Sequence, residues 1–255
     1  MEQETRNRAA FRFYEELNDF LPAGQRKQER IYIFKGNPSL KDAIEAQNIP
    51  HTEVDLVIVN GKPADINRKL RDGDQVSVYP VFESLDISLV KSGQPLRETR
   101  FILDVHLGKL AKLLRMTGFD TSYRNDFKDN EIIIKAIEEK RIIITRDKGL
   151  LKNSRVDRGY FIRSHKPAEQ LKEVILRFQL QASMNFLSRC IICNGIIAAA
   201  DKKDVSKFLK PGTLAHYNEF FRCTTCGQVY WKGSHFERMQ GYFRELKSSL
   251  NNRDN

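Results

Sequence analysis

Long apolar runs are absent from this 255-residue chain. None approaches the ~20 residues that a bilayer-spanning helix needs, so the reading is of a protein that does not cross a membrane. Cysteine is scarce as well: there are four, all beyond residue 189, which leaves most of the chain without a thiol to cross-link. Tryptophan occurs once. Internal repeats and low-complexity tracts are missing, which excludes a solenoid or a disordered linker protein. The opening Met1-Glu-Gln-Glu-Thr-Arg6 has no apolar stretch behind it that resembles a signal peptide, and the expected location is the cytoplasm.

What is present is ordinary for globular protein: 40% apolar and 30% charged residues, with room for one large domain or two to three small ones. The net charge of +10 is unevenly spread. Residues 1–97 carry 14 Lys+Arg against 15 Asp+Glu, residues 98–187 carry 18 against 12, and residues 188–255 carry 11 against 6. A polyanion such as nucleic acid would therefore be bound by the second and third parts rather than the first.

The first part alternates short strand patterns with turns. Phe11-Arg-Phe-Tyr14 and Ile31-Tyr-Ile-Phe34 read as strands, Ser39 as the N-cap of a short helix through Glu45, and Val54–Val59 as a strand ending in the turn Asn60-Gly61. Asp72-Gly-Asp74 then turns the chain into Gln75–Pro80. Two strands, a helix and two more strands is the order of a ubiquitin-like β-grasp domain, expected over 1–92. Ser92-Gly-Gln-Pro95 is the expected linker.

Residues 100–151 place acids at the ends of short apolar runs. Phe101-Ile-Leu103 stops at Asp104, and Ile142-Ile-Ile144 stops at Thr145-Arg-Asp147. Between them, Asp129-Asn-Glu131 opens a helix whose apolar face is Ile132, Ile133, Ala136 and Ile137. Strand, helix, helix, strand points to an α/β domain with a parallel sheet, in which ligands bind beyond the carboxyl ends of the strands. Singly, Asp129 also fits an N-cap and Asp147 a turn residue. Together the acids concentrate negative charge in a way that suits a hard cation, Mg²⁺ or Mn²⁺.

The helix after Asp104 has Leu107, Leu110, Ala111 and Leu114 on one side, which leaves Lys109, Lys112 and Arg115 on the other. Such a row is either a solvated face or a phosphate-contacting one. Arg124, Lys128, Arg146, Lys148 and Lys152 in the adjoining loops favour phosphate. A later strand at Tyr160-Phe-Ile162 and a helix from Pro167 to Phe178 complete a central domain expected over 98–182.

All four cysteines fall in Cys190-Ile-Ile-Cys193 and Cys223-Thr-Thr-Cys226. Each C-x-x-C pair presents two thiolates to one ion, and two pairs complete a tetrahedral zinc site, so a structural zinc ribbon is expected over 188–245.

Arg100-Phe-Ile-Leu-Asp104, Leu107-Gly-Lys-Leu-Ala-Lys-Leu-Leu-Arg115, Gly118-Phe-Asp120 and Thr145-Arg-Asp147 resemble the Mut-seven C-terminal RNase domain family, a PIN-like group. The resemblance implies a PIN-like fold, RNA as substrate, and Asp104, Asp129 and Asp147 as ligands of a catalytic Mg²⁺ or Mn²⁺. Many PIN nucleases have a fourth acid in a helix between the first two of these positions. No match stands there, and Glu131 is the candidate substitute. The segment Pro50–Asp55, Asn60-Gly61 and Asp72–Pro80 is similar to the ubiquitin-like domain fused in front of such RNase domains, itself related to sulfur carriers. Carriers need a free Gly-Gly end, whereas here the chain continues through Val81–Asp86, so a protein or RNA partner, or structural support, is expected instead. Tyr230-Trp-Lys-Gly-Ser-His235 matches the family's C-terminal motif; Trp231 and Lys232 would contact RNA, or Trp231 would pack the zinc module. Two functions follow: a metal-dependent ribonuclease, or a non-catalytic RNA-binding adaptor on the same fold.

Overall fold

The computed structural model describes residues 6–80 and 99–251; the expected linker at 92–95 and the stretch Val81–Asp86 lie outside them. The chain divides into two compact units. One comprises Met1–Arg97 with Thr145–Phe161, the other Glu98–Ile144 with Ile162–Asn255.

In the first unit, β1 (Asn7–Phe13), β2 (Arg30–Phe34), α1 (Leu40–Ala46), β3 (Val54–Val59), β4 (Lys62–Ala64) and β5 (Gln75–Pro80) follow in chain order. The sheet order is β2-β1-β5-β3-β4, with β1 and β5 parallel and the other pairs antiparallel. This is the expected β-grasp with one added hairpin strand. Ser39 caps α1 as its sequence implies, accepting from the Asp42 N–H at 3.1 Å while the Asp42 carboxylate accepts from the Ser39 N–H at 2.9 Å. The β3–β4 turn uses Asn60 and Gly61 at φ of +52° and +78°, the left-handed pair that a tight hairpin requires. Phe11, Phe13, Leu17, Leu40, Ile44 and Val78 form the core between sheet and helix.

The segment 145–161 carries α4 (Lys148–Leu151) and β9 (Gly159–Phe161) and packs with this unit. Phe161 lies against the β-grasp core and meets Phe20 edge-on at 5.4 Å.

In the second unit, β6 (Phe101–Leu103), α2 (Gly108–Met116), β7 (Thr121–Ser122), α3 (Asp129–Glu138), β8 (Ile142–Thr145) and α5 (Pro167–Arg177) build the central domain. β6 pairs in parallel with β7 on one side and β8 on the other. Every residue of β6 and β8 is buried, the mark of a parallel strand covered on both faces. α2 packs against α5, and Leu110, Leu114, Leu171, Val174 and Ile175 on the two helices are fully buried. α3 buries Ile132, Ile133 and Ala136, but Ile137 is half exposed, so the apolar face is one residue narrower than its spacing suggested.

The third module contains β10 (Ile197–Ala200), α6 (Lys202–Val205), α7 (Pro211–His216), β11 (Phe220–Cys223), β12 (Val229–Trp231) and α8 (Ser234–Asn251). Its three strands form an antiparallel sheet in the order β10-β11-β12 around Val205, Phe220 and Val229. Among the described residues no helix is long and apolar enough to cross a membrane.

Candidate zinc centre and acid site

The four cysteine sulfurs lie within 4.8 Å of one another. Cys190 Sγ is 3.6 Å from Cys226 Sγ, and Cys193 Sγ is 3.4 Å from Cys223 Sγ. A tetrahedral zinc with Zn–S of about 2.3 Å spaces its sulfurs by about 3.8 Å, whereas a disulfide would bring two of them to about 2.05 Å. The donor set fits zinc. Each knuckle also points backbone N–H groups at its sulfurs: Gly195 at Cys193 (3.4 Å), and Thr225 and Cys226 at Cys223 (3.4 and 3.5 Å). Burial opposes ionisation of Cys223, yet those N–H donors outweigh it and hold the thiol down to about 7, while burial pushes Cys193 up to about 12. The Tyr230 hydroxyl lies 3.1 Å from Cys190 Sγ, and burial pushes its phenol upward, so it stays a protonated donor to that sulfur. His235 is exposed and outside the cluster.

The first knuckle is fastened to the central domain by buried polar groups. Arg115 is 4% exposed; its guanidinium donates to the carbonyls of Thr121 (2.9 Å) and Ile192 (2.7 Å), with a longer bond to Ile191 (3.3 Å). This corrects the expectation of a phosphate contact: Arg115 faces inward and clamps the Cys190–Cys193 turn, bringing positive charge beside a thiolate cluster. Asn194, in the left-handed region at φ +74°, accepts from the Thr121 N–H at 2.9 Å, acting as an extra partner on β7, and donates to Asp120 at 2.8 Å. Asp120 also pairs with Arg141 at 2.6 Å and Arg189 at 3.3 Å. Burial works against its charge, and the Arg141 and Asn194 hydrogen bonds overcome that, holding its carboxyl below the usual range.

The acids are differently placed. Asp104 follows β6 and is 7% exposed; its N–H continues the ladder to the Ile144 carbonyl at 3.1 Å, and its carboxylate accepts from the Val105 N–H at 2.6 Å. Asp129 is the exposed first residue of α3, one position inside the Lys128 N-cap, so it is not itself the cap. Glu131 accepts from the Lys128 N–H at 2.8 Å, so its carboxylate closes the first turn of α3. Asp147 is exposed and caps α4 through the Gly149 N–H at 2.7 Å. Among the described residues the cysteines alone form a group of three or more metal-ligating side chains.

The basic residues divide in two. Lys109, Lys112 and Arg146 are exposed. The Lys148 ammonium lies over the Phe20 and Phe161 rings, at 5.1 and 5.6 Å, and Lys232 is paired with Glu219, so neither presents the bare cation expected of a phosphate contact. Trp231 packs against Val205, Phe220 and Val229, the zinc module's own core, in line with the packing alternative. An aromatic that the sequence reading passed over is exposed instead. Phe208 is 51% exposed, with Arg222 and Lys207 over its ring at 4.9 and 5.2 Å. The run Lys202-Lys-Asp-Val-Ser-Lys-Phe-Leu-Lys210 carried the signal.

The Mut7-C RNAse domain family model matches residues 99–243, more than half of the chain. The chain belongs to the Mut7-C RNase domain family. In front of that match, the Mut7-C ubiquitin model covers residues 6–86. Among solved structures, the small archaeal modifier protein 1 of Haloferax volcanii is similar at 19% identity and a TM-score of 0.25, over 30% of this chain and 99% of that one. A Pyrococcus furiosus chain assigned to subunit 1 of the molybdopterin converting factor gives the same identity, score and coverage. No curated protein matches.

Proposed function

We propose that this Mut7-C protein is a cytoplasmic, divalent-metal-dependent ribonuclease in three sequence domains, 1–92, 98–182 and 188–245. The family match carries the ribonuclease reading. The parallel pairing of β6 with β8 supports the acids, because Asp104 stands beside the last residues of β8, from which the chain runs on towards Asp147.

Carboxylate oxygens are the hard donors that Mg²⁺ or Mn²⁺ prefers, and Asp104, Asp129 and Asp147 are the residues that would hold the ion. When bound, the ion supplies charge for the scissile phosphate and a lowered pKa for a coordinated water. The protein's own contribution is positioning. Asp104 is oriented by its bond to Val105, Lys109 and Lys112 offer exposed cations for the RNA backbone, and Phe208 with Arg222 offers a stacking surface for a base.

One observation favours the adaptor reading: the Glu131 carboxylate is engaged in capping α3. Incubating the purified protein with single-stranded and structured RNA, with and without Mg²⁺ or Mn²⁺, separates the two. The nuclease reading expects cleavage only with metal. Tight binding without cleavage under any metal would replace it with the adaptor.

A further inference from the structure

The segment 145–161 is mostly turns between the end of β8 and β9. Its only helix, α4, is four residues long, far below the length at which a helix is stable by itself. Several of its side chains nevertheless have partners or are buried. Leu150, Leu151, Val156 and Tyr160 are at most 5% exposed, and the Lys152 ammonium donates to the Glu45 carbonyl at 2.9 Å and to Asn48 Oδ1 at 3.3 Å. Those acceptors mark the C-terminal end of α1, where carbonyls lack helical partners and a cation is favoured.

The β-grasp side is shaped to match. His51 places one ring nitrogen against Glu45 and the other 2.8 Å from the Val156 carbonyl. Glu53 is completely buried, an expensive place for a carboxylate, and it accepts from the Phe161 N–H at 2.6 Å. Phe20 meets the Phe161 ring, and Lys148, the neighbour of Asp147, sits over both. The buried Glu53 carboxylate thus receives a backbone N–H from the 145–161 segment.

We infer that the ubiquitin-like domain's partner is the chain's own segment Thr145–Phe161, and that by docking it the domain fixes the turn carrying Asp147. The catalytic half of this inference rests on the nuclease reading; the docking half does not. Lys152, His51 and Glu53 are then positioning residues. They act on Asp147 through the backbone between them and touch no substrate.

The test uses the full chain carrying Lys152→Met with His51→Leu, changes that delete the polar contacts while keeping the side-chain volumes close. Hydrogen exchange across 146–158 should accelerate at least about tenfold, the effect of a single lost hydrogen bond on a local opening where three are removed, while α2 and α5 keep their protection. RNA cleavage should lose kcat with KM unchanged, and Lys152→Arg alone should retain most of it. If the double variant fails to fold, Lys152→Met alone gives the same readout at smaller size. Unchanged exchange in 146–158 would overturn the docking. Faster exchange with unchanged kcat would overturn the positioning of Asp147. A wild type that never cleaves would sink the nuclease reading and the catalytic half with it, while the exchange result still decides the docking.

Discussion

The zinc centre and the acid site are built from opposite materials. At the zinc centre each turn of chain supplies two ligands, backbone N–H groups already point at the sulfurs, and a buried Arg115 with a half-buried Asp120 fastens the first knuckle to β7. The acids proposed to bind metal come one from each of three elements, each with a local hydrogen-bonding or helix-end role that accounts for it without a metal. A site whose ligands are neighbours in sequence is organised by the turn itself. A site assembled from distant elements depends on everything that holds those elements.

The largest expected effect is on the zinc side. Cys190→Ser or Cys223→Ser should abolish binding of about one zinc per chain and unfold residues 188–251, because structural zinc contributes about 10–16 kcal/mol to small modules of this kind. Elemental analysis and hydrogen exchange check it, and full zinc retention in both variants would remove the contrast between the sites.

Next in size is Asp120→Ala, which removes the carboxylate shared by Arg141 and Arg189, leaves Arg141 with Glu139 alone, and should cost about 3 kcal/mol or less of stability in a urea melt. The pH dependence follows from the lowered carboxyl of Asp120. Its contribution is present above the unfolded-state value of about 3.9 and is lost as pH falls through the lower folded-state value, so wild type should lose this stability only below about pH 4. The alanine variant should lack that step.

Smaller, and opposite in kind, are the effects of the basic residues. Arg115→Met should lower zinc affinity about 10- to 100-fold, with RNA affinity changed only through the loosened module. Lys112→Ala should leave zinc untouched and lower the slope of RNA affinity against salt by about one ion. Phe208→Ala should weaken single-stranded RNA by about 1–3 kcal/mol, with little effect on its salt dependence. Fluorescence titrations across salt concentrations separate the three; a salt-slope change in Arg115→Met and none in Lys112→Ala would reverse the assignment.

This pattern explains what could be read from the chain. The zinc ligands were legible because C-x-x-C spacing is itself the geometry, and β6 and β8 because a short all-apolar run ended by an acid has few other meanings. Arg115 was misread because i, i+3, i+4 spacing locates the apolar stripe of α2 but cannot show that the flank beside it is covered by a knuckle 76 residues away. The capping bond of Glu131 was not legible because a capping carboxylate and a catalytic one look alike in sequence. The docking of 145–161 was invisible for a similar reason: Glu53 looks like any surface acid until Phe161 arrives beside it.

The central claim is that Asp104 and Asp147, although each has a local structural role, serve one reaction. A double-mutant cycle on metal-dependent RNA cleavage tests it most directly, comparing Asp104→Asn, Asp147→Asn and the double variant, with zinc content and thermal melts confirming the fold. Residues that act as a unit are strongly non-additive, so each single variant should lose nearly all activity and the double variant should be no worse than the poorer single. Losses that simply add, or a single variant that cleaves like wild type, would contradict the account.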